Sequence, residues 1–134
     1  MPAYDSVLFN PPAPLARVII RHPSTGAMVS DVPMLLDTGA DVTLLPQAFV
    51  EQLGISIDSN EGYELKGFDG NVSVAQVVEA DLVFLRRAFK GRFLLIDQLW
   101  GLIGRDVLNH MSLLFDGLRF DWREQKSVEQ QDSI

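Results

Sequence analysis

The chain contains no cysteine, which excludes disulfides and thiolate metal sites. Its two histidines, His22 and His110, lie too far apart for metal-ligand spacing, and each is expected at the surface or a helix end. Positive charge is scarce. Eleven Lys and Arg against 18 Asp and Glu leave a net charge of −7, which argues against nucleic acid as the main partner. No apolar run approaches the roughly 18 residues that a membrane span needs. No basic segment leads into a long apolar run at the N-terminus, so neither a span nor a signal peptide is expected. These absences predict a cytoplasmic protein with an independent start at Met1 and no membrane partner. What is abundant is apolar side chain, 47% of 134 residues, enough for the modest core of one domain.

The chain is organised around Met34-Leu35-Leu36-Asp37-Thr38-Gly39-Ala40-Asp41-Val42-Thr43-Leu44-Leu45. An apolar strand delivers one carboxylate, Asp37, into a small-residue turn, and the apolar pattern resumes at Val42. A carboxylate at the edge of a core needs partners, so this placement points to function. A second motif follows downstream, Leu102-Ile103-Gly104-Arg105-Asp106, opening a short helical pattern with Val107, Leu108 and Met111 on one face.

Many short strands surround the two motifs, with only two short helices, which predicts an all-β domain. Strands are expected over Arg17–His22, Ala27–Val32 and Met34–Leu36, with Pro33 marking a strand start or edge. Pro46–Leu53 reads as a helix stopped by Gly54, and residues 58–62 as a polar loop. Tyr63–Val78 reads as a hairpin with Asp69-Gly70 near its tip. Strands near Asp81–Leu85 and Phe89–Ile96 turn around Arg86-Arg87, and Leu113–Phe115 and Leu118–Trp122 form a last hairpin about Asp116-Gly117. The domain is placed at residues 17–122, between a proline-rich arm over 1–16, with Val7, Leu8 and Phe9 as possible anchors, and a polar tail over 123–134. Arg86, Arg87, Lys90 and Arg92 read as a solvated turn, and Trp100 and Trp122 as packing residues.

The pair of motifs resembles the retropepsin family, the retroviral-type aspartic proteases and their cellular and bacterial relatives. The resemblance implies a single-domain acid-protease barrel with one or two short helices, forming a two-fold symmetric dimer. It makes Asp37 the catalytic residue, with Thr38, Gly39, Ala40, Asp41 and Arg105 supporting its loop. Thr38 would bond across the two subunits, and Asp41 would pair with Arg105. The hairpin would be the flap, with Gly67, Phe68, Asp69 and Gly70 at its tip. Phe68 and Asp69 depart from the glycine-rich retroviral tip. Val42 and Leu102 could line substrate pockets.

Peptide hydrolysis without metal or covalent nucleophile needs an activated water and an acid for the carbonyl oxygen. Two carboxylates about 3 Å apart that share one proton supply both, a general property of aspartic proteases rather than a result from this chain. One Asp-Thr-Gly per chain then requires a second copy of the chain as partner, with a polypeptide as substrate and no cofactor. In the family the chain ends interleave in the dimer, and Leu113–Trp122 is the candidate for that surface. The alternative is a non-catalytic module of the same fold that dimerises or binds peptides. An intact Asp37-Thr38-Gly39 argues against it. Magnesium at Asp37 and Asp41 is not expected, because apolar residues crowd them.

Overall fold

The structure, a computed structural model, describes residues 2–66 and 72–126, with backbone only for 58–66 and 72–74. Its strands are β1 Ala3–Asp5, β2 Ala13–Arg21, β3 Met28–Leu36, β4 Leu44–Pro46, β5 Ile57–Lys66, β6 Val72–Phe84, β7 Arg87–Ile96, β8 Gly101–Ile103, β9 Leu113–Asp116 and β10 Asp121–Glu124. Two short helices interrupt them, α1 Gln47–Gln52 and α2 Arg105–Leu108. The described strands form one sheet in the order β5-β6-β7-β4-β8-β3-β2-β1-β10-β9. A further β6–β2 pairing folds that sheet back on itself, so the all-β barrel expected from the sequence is present.

Alternation builds the core. Along β2, Ala16, Val18 and Ile20 are buried while Arg17 is exposed; β3 buries Val32, Met34 and Leu36. They meet Val78, Ala80, Leu82 and Phe84 of β6, Phe93 and Leu95 of β7, and Trp122 of β10. A register shift between Val18 and Ile20 turns β2 so that it pairs with both β3 and β6. At the closure, buried Asp81 accepts a 2.9 Å bond from Arg21 Nε, directly across the ladder.

Several elements differ from the sequence reading. β3 runs through Pro33, because Pro33 lies just before the β8 ladder begins at Met34 and needs no donor on that side. β2 begins at Ala13 rather than Arg17, and β1 lies on it within residues 1–14. Of the three expected anchors Phe9 packs, its ring 4.8 Å from Trp100, while Val7 and Leu8 are exposed; β1 itself also ties the arm down, through its pairing with β2 and β10. Residues 58–62 belong to β5, where a register shift between Asp58 and Gly62 accommodates the polar residues. The β6–β7 turn centres on Leu85 and Arg86, both at positive φ (51° and 67°), one residue earlier than expected. Pro46 ends β4 and caps α1 instead of starting it, and β4 has no counterpart in the sequence reading.

Candidate active site

β3 and β8 run in parallel, Leu36 beside Ile103, and this pairing positions Asp37. The Asp37 N–H donates to the Ile103 carbonyl at 3.0 Å, carrying the ladder one residue past the strand. The chain then turns. Asp37 Oδ1 accepts the Gly39 N–H at 2.9 Å, and the Ala40 N–H donates to the Asp37 carbonyl at 3.2 Å. The half-buried carboxylate is thus oriented by its own loop. Gly39 gives this arrangement room: a Cβ there would sit 3.1 Å from Oδ1 and push the carboxylate by a few tenths of an ångström.

The second motif holds the loop from beneath. A Cβ on Gly104 would lie 2.5 Å from the Val42 carbonyl oxygen and 3.0 Å from that of Ala40, so only glycine allows this approach. Arg105 donates its backbone N–H to the Ala40 carbonyl at 2.8 Å and its guanidinium to the Thr38 carbonyl at 2.7 Å.

With that geometry in hand, comparison with known proteins is decisive. A family model described as "gag-polyprotein putative aspartyl protease" matches residues 29–110, well over half of the chain and both motifs. The chain belongs to this family. Among solved structures it is similar to EIAV protease complexed with the inhibitor HBY-793, at 25% identity and a TM-score of 0.54, over 73% of this chain and 86% of that one. No curated protein matches. The retropepsin-like resemblance therefore holds in both family and fold.

In this member of the family the Asp41–Arg105 pair is not formed. Asp41 is exposed, and the Arg105 guanidinium is directed to the Thr38 carbonyl, which lies inside the turn it stabilises. The carboxylate that does brace the site is Asp106, which the sequence reading passed over. Its Oδ1 accepts the Thr43 hydroxyl at 2.6 Å and its Oδ2 the Thr43 N–H at 3.1 Å. Thr43 Oγ1 in turn accepts the buried Gly104 N–H at 3.1 Å. The motifs Ala-Asp-x-Thr and Gly-Arg-Asp contained both partners, but nothing local pairs residues 63 positions apart. Replacing Thr43 by valine keeps the shape, strands the buried Gly104 N–H and takes the hydroxyl bond from exposed Asp106. Thermal or denaturant unfolding of Thr43→Val is expected to show a loss of about 1–3 kcal/mol.

The remaining candidates divide. Val42 and Leu102 pack half-buried on an apolar cluster of Leu44, Ala75, Val77 and Leu94, distinct from the main core. Thr38 is exposed and Ala40 half-buried. The hairpin expected as the flap corresponds to β5 and β6, and its tip residues Gly67, Phe68, Asp69 and Gly70 lie outside the described residues. His22 Nδ1 accepts the Ser24 and Thr25 N–H groups in the β2–β3 turn, and the His110 ring lies 5.9 Å from that of Phe89. Among the described residues no three His, Asp or Glu gather to hold a metal ion.

Proposed function

We propose that this chain is an aspartic endopeptidase whose site is completed by two copies, each contributing Asp37. The carrying observation is the Asp37 loop: one carboxylate, oriented by Gly39 N–H and braced by Arg105, in a fold of the aspartic-protease family. The ionised member of the pair takes a proton from water as the water oxygen attacks the scissile carbonyl carbon. The protonated member gives its proton to the carbonyl oxygen. Collapse of the resulting diol breaks the C–N bond, and a proton returns to the leaving amine. Val42 and Leu102, on the second apolar cluster, favour apolar side chains beside the cut bond.

Only the singly protonated pair is active in this scheme. The second proton, bound in acid, removes the base, and loss of the last proton removes the acid. Cleavage of an unfolded test protein from about pH 3 to 7 is therefore expected to give a rate with two falling limbs, reporting apparent values of the pair. A rate that climbs steadily to neutral pH counts against the mechanism.

A further inference from the structure

We propose that the N-terminal arm forms part of the substrate-binding face and that Phe9 selects an apolar side chain of the bound polypeptide, a role that rests on the reading of Asp37 as the reacting group. The arm lies outside residues 29–110, the part matched by the family model, so it is a feature of this chain.

The β3–β8 pair has two distinct faces. Leu36 and Ile103, side by side, are buried in the main core, so Leu35 and its neighbour Leu102 lie on the other face. Asp37 follows Leu36 and its N–H continues the ladder, which puts Asp37 on that other face too. Gly101 extends the alternation one residue earlier. A Cβ there would lie 2.6 Å from Met34 Sδ, on the core side, so Trp100 before it shares the face of Leu102 and Asp37. Trp100 stands level with Pro33, four residues before Asp37, which is roughly 13 Å at the rise of a strand.

The arm brings Phe9 to this ring, with centroids 4.8 Å apart and planes tilted by 59°, an arrangement that aromatic pairs favour. Among the described residues neither ring joins the main core or the second apolar cluster, so the pair is a separate aromatic wall beside Leu102. The wall is held in place. β1 is paired with β2 and β10, and Asp5 Oδ1 accepts the Val7 N–H at 2.9 Å and the Leu8 N–H at 2.7 Å, which turns the chain. Pro11 and Pro12 lead it back into β2 at Ala13. Fastened at both ends, the arm is a fixed wall of the site and not a plug that leaves before substrate enters. Val7 and Leu8 before Phe9, and Leu99 before Trp100, are exposed. Open apolar surface that continues the Asp37 face suits an apolar side chain of an extended peptide, within about four residues of the cut bond.

Pooled random octapeptides test this with the full chain. Sequencing the products cut by wild type gives its side-chain preferences. Sequencing the peptides retained by Asp37→Asn, whose turnover is expected to be lost, gives the preferences of binding alone. Both are expected to show apolar enrichment at one position. Phe9→Ala is expected to reduce that enrichment at least about tenfold, the scale of a lost hydrophobic contact. Phe9→Tyr should stay close to wild type, and Leu118→Lys, at the exposed tip of the last hairpin, should be unchanged. Circular dichroism melting shows that each variant is folded, and Phe9→Leu, which keeps apolar contact without the ring, makes the same comparison should Phe9→Ala melt early. Preferences of the folded variant identical to wild type at every position overturn the proposal, as does a uniform rise in the cutting of all sequences, the mark of a plug. Retention that depends on Phe9, without cutting by wild type, refutes the protease reading and leaves the role of the arm standing. Cutting whose preferences are indifferent to Phe9 does the reverse.

Discussion

Asp37→Asn is expected to lower turnover by about 10²–10⁴-fold or more, the range associated with losing a positioned acid–base group. The amide has nearly the shape of the carboxylate, and its oxygen can still accept the Gly39 N–H now held at 2.9 Å. It cannot exchange the proton that moves between water and the carbonyl oxygen. The fold should notice little. A charge-assisted bond becomes a neutral one at a half-buried position, a change of about 1 kcal/mol or less. Initial rates on an unfolded protein, beside a melting curve of the variant, separate chemistry from stability. Equal rates for variant and wild type, at equal stability, remove Asp37 from the mechanism and favour a binding module.

Trp122→Ala is expected to cost about 3–5 kcal/mol of stability, the range for deleting a large buried aromatic. The indole is 3% exposed, lies 5.9 Å from the Phe84 ring, and donates Nε1–H to the Leu15 carbonyl at 3.0 Å. It therefore fastens β10 to β2 and β6 from inside. Trp122→Phe keeps most of the apolar contact and removes the hydrogen bond, so it should cost less than Trp122→Ala. Denaturant unfolding of both variants gives the comparison. A loss below about 1 kcal/mol for Trp122→Ala would mean that the last hairpin is not anchored through this side chain.

Local signals were legible in the sequence. The apolar run into Asp37, the small residues after it and the glycine before Arg105 each follow from a requirement met within a few residues. Gly54 as a helix stop and Val107 and Leu108 as a buried face were read the same way. What escaped was set by distant partners. β4 is a strand because β7 and β8 lie on either side of it, and the three residues of Leu44–Pro46 have no periodicity of their own. The Arg21–Asp81 closure and the Thr43–Asp106 brace join residues 60 and 63 positions apart. The family resemblance, and the bidentate fit of a guanidinium to a carboxylate, pair Arg105 with Asp41 in the sequence reading. In the fold, a backbone carbonyl inside the turn has the better position.

The most direct test of a dyad shared between two chains is to mix wild type with Asp37→Asn at fixed total concentration, high enough for full association, and measure cleavage. If each site takes one Asp37 from each chain, only wild-type pairs are fully active. Activity then follows the square of the wild-type fraction, falling to about one quarter in an equal mixture. Activity that follows the wild-type fraction linearly, about one half in the same mixture, would contradict the shared dyad and place a complete site within a single chain.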